Sequence, residues 1–419
     1  MRLSFLSVIL FWSIIVSAQN INPIPDRIPH PGYIDVNTIN GPPKGPIQTG
    51  ADQTEKYIPY LQGKNVGMVI NKTSIIGRKN SVDSLHALDI RIVKIFGPEH
   101  GFRSNASNGT QIANSVDPQT NIPVISLYGK KVKPTKEDLN GIDILIFDIQ
   151  DVGARFYTYI STLHYVMEAC AENKLELMIL DRPNPNGFYV DGPVLDPKLK
   201  SFIGMHPVPI VHGMTIAEYA QMINGEGWLN NGAVCKLKII KLKNYRHDKF
   251  YELPINPSPN LNSQRAILLY PSLCLFEGTV ISLGRGTYTP FQLLGNPELK
   301  DQYRFSFTPV SIKGMSETPL HQNITCYGID LRRYSMNKLQ NATTLNLNWL
   351  IELYQAYPFK EKFFDYKQNN LMGNFDRLAG TETLREQIIN HKTEEEIRLS
   401  WEPALSQYKL MRRKYLLYP

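Results

Sequence analysis

The chain has 419 residues, of which 42% are hydrophobic and 20% charged, and a formal net charge of +7. At about 100–200 residues per domain, this length asks for more than one core, and the material to bury in each is present. The excess charge is small for the size and spread along the sequence, so no nucleic-acid partner is expected, and no uninterrupted apolar run of about 18 residues follows the N-terminus to suggest membrane insertion.

Met1 to Gln19 has an early basic residue, an apolar centre and small residues near its end, the layout of a cleaved signal peptide; the mature protein is expected to be exported, periplasmic or secreted. Residues 20–48 are rich in Pro and Asn without an apolar period and read as an extended arm. From residue 49 the pattern changes to short apolar runs separated by helical periods. Strands are expected at 65–71, 90–96, 123–128, 143–148 and 175–181, with helices near 57–61, at 81–88 and at 157–173. Such alternation builds a mainly parallel sheet with right-handed crossovers, a Rossmann-like α/β domain over residues 49–205. The remainder, 206–419, is expected to form a smaller C-terminal α/β domain. Thr215 and Glu218 make a capping box for a helix, residues 234–243 alternate Lys with apolar residues as a strand with one solvated face, and Pro254 to Asn260 is a proline-stiffened loop. Strands at 303–308 and 324–331 then precede helices at 344–357, 384–390 and 393–401. Cys170, Cys235, Cys274 and Cys326 lie far apart with no CxxC pair, and read as buried thiols.

Polar groups gather where strands are expected to end, which in open α/β sheets is where ligand crevices lie. Glu99 and His100 follow the second strand in Phe96-Gly-Pro-Glu-His-Gly-Phe-Arg103; helix capping and a loop hydrogen bond are the plainer alternatives for them. Asp148, Gln150 and Asp151 end the next strand but one, followed by Arg155, Tyr157 and Tyr159; Asp151 and Arg155, four apart, also suit a helix-start ion pair. Asp181-Arg-Pro-Asn-Pro-Asn-Gly187 presents Arg182 and the carboxamides of Asn184 and Asn186, groups suited to sugar hydroxyls. Glu277 and Arg285 flank an apolar run further on. Neither GxGxxG nor GxxxxGK[ST] is present, so no nucleotide is expected; no GxSxG elbow and no HExxH set occurs, which disfavours a serine hydrolase, a metal-dependent deacetylase or a metal site. Paired carboxylates among Glu99, Asp148, Asp151 and Glu277 remain, and point to glycoside hydrolysis. An exported two-domain protein that binds a cell-wall sugar without turnover is the competing reading.

Taken in order, Gly97-Pro-Glu-His-Gly-Phe-Arg103, Phe147-Asp-Ile-Gln-Asp-Val-Gly-Ala-Arg-Phe-Tyr-Thr-Tyr159, Asp181 to Gly187, His212-Gly-Met-Thr215, Pro257-Ser-Pro-Asn260, Leu275-Phe-Glu-Gly-Thr279 and Gly284-Arg-Gly-Thr287 closely resemble the NamZ family of exo-β-N-acetylmuramidases. The resemblance runs from about residue 50 to the C-terminus, with Ser104 and Ala217 standing where glycine is expected. It implies release of terminal N-acetylmuramic acid from the non-reducing end of a muropeptide or disaccharide derived from peptidoglycan, in a cleft between two α/β domains and with no cofactor. It further implies Glu99 as a catalytic carboxylate with His100, Asp148 and Asp151 beside it. Arg155, Tyr157, Tyr159, Arg182, Asn184, Asn186, His212, Asn260, Glu277 and Arg285 are then the expected substrate-binding set, with one of the arginines on the lactyl carboxylate.

Overall fold

The computed structural model describes residues 45–99, 101–103, 113–364 and 374–419. The expected signal peptide, most of the arm and His100 lie outside the described residues.

Seven strands form the central sheet: β1 (Val66–Ile70), β2 (Ile92–Gly97), β3 (Ser115–Val116), β4 (Pro123–Ser126), β5 (Ile144–Asp148), β6 (Glu176–Leu180) and β7 (Lys236–Ile240). Their order is β3-β4-β2-β1-β5-β6-β7, and every pair is parallel except β3 with β4. The chain lays down β2, β3 and β4 on one side of β1, then returns to place β5, β6 and β7 on the other. The order therefore reverses between β1 and β5, where the crossover connections leave to opposite sides and open a crevice at the strands' carboxyl ends.

β1 and β5 are buried throughout, as central parallel strands must be when helices cover both faces. Alternate residues divide between two cores. Met68, Ile70, Ile144 and Ile146 pack with Tyr57, Leu61, Val82 and Leu85 on one face. Val69, Leu145, Phe147 and Ile179 join a larger core on the other. That larger core includes helices α2 (Tyr159–Glu172), α3 (Ile216–Gly225), α4 (Gln264–Leu273) and α6 (Glu394–Arg413), with α1 (Ser81–His86) on the first face and α5 (Asn348–Ala356) in the second half. Residues 43–419 form one compact unit. β7, from beyond residue 205, completes the sheet, because its Lys-apolar alternation suits an edge strand with one half-exposed face.

A second, antiparallel sheet orders β8 (Leu293–Asn296), β10 (Cys326–Asp330) and β9 (Phe305–Phe307), with β10 in the centre. Gly328 permits this pairing: a Cβ there would meet the Leu294 carbonyl oxygen at 2.1 Å. All four cysteines are buried and free. Among the described residues, no helix is long and apolar enough to cross a membrane.

Candidate active site

The carboxyl ends of β1, β2, β5 and β6 lie side by side, since Val69 pairs with Phe96, Ile70 with Asp148 and Phe147 with Ile179. The loops that follow are tied across the crevice. Asn71 Oδ1 accepts from the Thr73 amide at 2.9 Å and hydroxyl at 2.6 Å, and Thr73 Oγ1 in turn accepts from the Gln150 amide at 3.1 Å. Ser74 Oγ donates to the Asp148 carbonyl. Gln150 donates to the carbonyls of Asp151 and Pro183. The loops are thus held by one another rather than by solvent, which makes a rigid rim for a ligand.

Above that rim, Glu99, Phe156, Tyr157, Thr158, Asn260 and Arg285 line a cavity partly open to solvent, with Ser258, Leu261, Tyr270 and Phe291 completing its wall. Aromatic rings build the floor edge to face, Phe156 to Tyr270 at 5.2 Å and Tyr270 to Phe291 at 5.1 Å between centroids. Phe291 holds a backbone φ of +57°, a left-handed conformation rare in a non-glycine residue and the sort of local strain that collects at functional sites.

Glu99 is half-buried at the end of β2 and accepts a hydrogen bond from Thr158 Oγ1 at 3.2 Å. Its charge is felt by three tyrosines. Burial, reinforced by Glu99, pushes the phenols of Tyr128, Tyr157 and Tyr159 above their ordinary value, so all three are neutral donors at working pH. Tyr157 and Tyr159 pack edge to face at 4.9 Å and also lie in the field of Asp151, so both carboxylates act on this pair.

Across the cavity, Arg285 Nε and Nη2 both donate to one oxygen of Glu277, at 2.8 and 2.5 Å, and the guanidinium lies 5.0 Å from the Phe291 ring. Glu277 is therefore the partner that holds Arg285 in place, rather than a second carboxylate facing the substrate. Asn260 donates to the Met315 carbonyl and leaves Oδ1 buried without a partner among the described residues; Ser258 Oγ accepts from the Leu261 amide.

Several expected site residues lie beneath the cavity instead of in it. Arg182 Nε is 2.6 Å from Asp148 Oδ1 with both side chains buried, and Nη2 donates to the Ile75 carbonyl. This buried pair joins β5 to β6 and withdraws both residues from substrate. Arg155 is fully buried: its two terminal nitrogens donate to the carbonyls of Pro193, Val208, Leu378 and Ala379 at 2.7–2.9 Å, with no pairing to Asp151. Burial without a carboxylate draws its guanidinium down to about 9. Asn184 donates to the Met214 carbonyl, and Asn186 to those of Val152 and Ile267. These carboxamides satisfy loop backbone, as their complete burial requires. His212 is also buried, its Nδ1 accepting from the Met214 amide. Asp151 and His212 are brought together, Oδ2 and Nε2 lying 3.7 Å apart.

Thr158 and Ser258 stood inside the motifs but were not singled out as site residues. Tyr270 gave no signal, since it sits in the apolar α4 segment, where the sequence marked no element, and Phe291 is revealed by its backbone alone.

Comparison with known proteins agrees with this architecture. Residues 66–265 match the family model for the N-terminal part of exo-β-N-acetylmuramidase NamZ, and residues 268–418 the model for its C-terminal part. The chain is 39% identical over 392 residues to the peptidoglycan β-N-acetylmuramidase NamZ of Bacillus subtilis (strain 168), covering 90% of this chain and 92% of that protein. Two crystal structures of DUF1343 family proteins from Bacteroides fragilis NCTC 9343 superpose with TM-scores of 0.81 and 0.74, at 43% and 29% identity, over 89% and 90% of this chain and 99% and 100% of theirs. The chain belongs to the exo-β-N-acetylmuramidase NamZ family.

Proposed function

We propose that this protein is an exported glycoside hydrolase that removes N-acetylmuramic acid from the non-reducing end of peptidoglycan fragments, with Glu99 as the general acid. The observation that carries the reading is Glu99 itself: a half-buried carboxyl in a cavity walled by aromatic and polar side chains, bonded to a neutral hydroxyl and sharing the cavity with a cation. Glycosidic cleavage passes through an oxocarbenium-like state, and an acid must protonate the departing oxygen as its bond to C1 breaks. Water then supplies hydroxyl to C1 and returns a proton, so the products are the free sugar and the shortened fragment.

The aromatic floor offers apolar surface to the sugar ring, and the unpartnered Asn260 Oδ1 offers an acceptor to a hydroxyl or amide. N-acetylmuramic acid differs from N-acetylglucosamine by a lactyl carboxylate. Arg155 and Arg182 are buried among carbonyls and Asp148, which leaves Arg285, held from one side by Glu277, as the cation for that carboxylate. The N-terminal signal pattern supports export to where such fragments occur.

The test is turnover of a chromogenic aryl β-N-acetylmuramide and of the natural disaccharide. Glu99→Gln should lower turnover by about 10²–10⁴ with the fold intact, and lower it more for the disaccharide, whose poorer leaving group needs protonation. Near wild-type hydrolysis of the disaccharide by this variant would remove Glu99 from the mechanism.

A further inference from the structure

The second half of the site begins three residues past β5. Asp151 is buried; its Oδ2 accepts from the Gly153 amide at 2.7 Å, while Oδ1 is buried with no partner among the described residues. A second orphan faces it. His212 Nε2 is buried, also without a hydrogen-bond partner among the described residues, and 3.7 Å from Asp151 Oδ2. Its other nitrogen, Nδ1, accepts from the Met214 amide at 3.2 Å and therefore carries no proton, so in the neutral ring the proton sits on Nε2, the side toward Asp151.

The imidazole has little freedom to turn elsewhere. Tyr219 lies edge-on at 5.0 Å, and the turn is gripped by α6: Tyr408 donates to the His212 carbonyl at 2.7 Å and Arg412 Nε to the Gly213 carbonyl at 3.0 Å. Gly213 has φ +65°, and a Cβ there would lie 2.6 Å from Val190, so the turn accepts only glycine without strain. A carboxylate this deep costs several kcal/mol unless its lone pairs are used, and one of its oxygens is not. Around it stand Tyr157, Tyr159 and Tyr219, neutral phenols in its field, with Tyr157 reaching the cavity wall beside Glu99.

We propose that Asp151 is the second carboxylate of the site, presenting Oδ1 to the positive charge that develops on the sugar, and that His212 is its positioning residue, donating from Nε2 to Oδ2. The 3.7 Å separation closes when substrate engages Oδ1, as catalytic hydrogen bonds that are long in the empty site often do. Helix α6 thereby sets the geometry of a carboxylate that belongs to the parallel sheet, through one buried turn.

This inference rests on the proposed hydrolysis, and its experiment separates the two. His212→Gln keeps an amide N–H near the place of Nε2, whereas His212→Asn puts its amide at Nδ1, keeping a group beside Met214 and losing the donor to Asp151. With full-length protein and the aryl muramide, His212→Asn should lower kcat about 100-fold with KM changed less than about threefold, and His212→Gln should recover at least about tenfold of that loss. In an Asp151→Asn background neither substitution should cost more than about threefold further, since both act through one group. A purely structural histidine predicts the reverse order, with Asn tolerated better than Gln and melting temperature falling in step with activity. That order, equal losses in both variants, or losses that multiply with Asp151→Asn would overturn the proposal. Absence of wild-type turnover on any muramide would instead overturn the hydrolytic reading, and this one with it.

Discussion

Arg155 separates a structural role from a binding role. Its guanidinium donates to four carbonyls from three segments, and two of these, Leu378 and Ala379, are the last of a short helix, Phe375–Ala379, that ends at Gly380. Terminal helix carbonyls have no partner of their own and attract cations, so Arg155 caps from the first half of the chain a helix contributed by the second. Gly380 has φ +76°, and a Cβ there would meet Arg155 Nη2 at 2.4 Å, so cap and cation are fitted to each other. In Arg155→Lys the charge stays buried, but one ammonium does not span three segments. Val208 keeps a second donor, the Leu195 amide. Orphaning two or three of the other carbonyls at about 1–2 kcal/mol each gives a loss of about 3 kcal/mol. At about 2 °C per kcal/mol for a chain of this size, the melting temperature should fall by about 6 °C, read by differential scanning fluorimetry and urea unfolding. KM for the aryl muramide, measured well below that transition, should stay within about twofold of wild type. A variant as stable as wild type that binds substrate far more weakly would refute the capping argument and return Arg155 to the substrate.

Arg285→Gln should lower kcat/KM for the muramide by about 10–100-fold, the worth of a charge-assisted pair, while altering hydrolysis of the matching N-acetylglucosaminide much less; equal losses on both would exclude recognition of the lactyl group. Asp181 is buried, and burial drives its carboxyl up to about 7 even though Tyr418 and the Ala217 amide donate to it. Because the folded value lies above the unfolded one of about 3.9, this group's contribution to stability is full below about pH 4 and is lost as pH rises through about 7. Asp181→Asn removes the titration, so urea unfolding should show wild type losing stability relative to the variant by on the order of 1–4 kcal/mol between pH 4 and pH 8; a pH-independent difference would contradict this. Arg103 braces the loop that carries Glu99 by bonding Asp83 and Asp117 together. Arg103→Ala should lower kcat about tenfold with a loss of stability near 1–2 kcal/mol, and unchanged kcat would mean that Glu99 is held without the brace.

Much of this was legible in the sequence because it depends on short-range pattern. Short apolar runs located β1, β2, β4, β5 and β6, and the capping box at Thr215 and Glu218 is present as expected, the Thr215 hydroxyl accepting from the Glu218 amide. β8 was not legible: Gly295 and the brevity of Leu293–Asn296 hide a strand whose existence depends on pairing with β10. Helix α4 was hidden by Pro271, which sits near its end, where the helix passes into a 3₁₀ turn. The least legible property was the direction in which polar side chains point. Arg155, Arg182, Asn184 and Asn186 are the residue types a sugar site uses, yet the same donors are needed to satisfy backbone where irregular loops are buried.

That ambiguity has a physical source, and it explains how the site is built. A crevice at the carboxyl edge of a parallel sheet is lined by loops, and loops pushed below the surface expose carbonyls that no ladder satisfies. Arg155, Asn184 and Asn186 supply donors to those carbonyls, and Arg182 neutralises Asp148, so the loop carbonyls under the cavity are paired. Polar atoms left over are then informative. Among the described residues, Asp151 Oδ1, Tyr157 Oη, Asn260 Oδ1 and His212 Nε2 are buried without a partner, and Tyr157 and Asn260 line the cavity with Glu99 and Arg285. Asp148 Oδ2, Arg155 Nε and Asn186 Oδ1 below the cavity are likewise without a partner among the described residues, so an orphaned atom points to a polar ligand only where its residue also lines the cavity, as Tyr157 and Asn260 do.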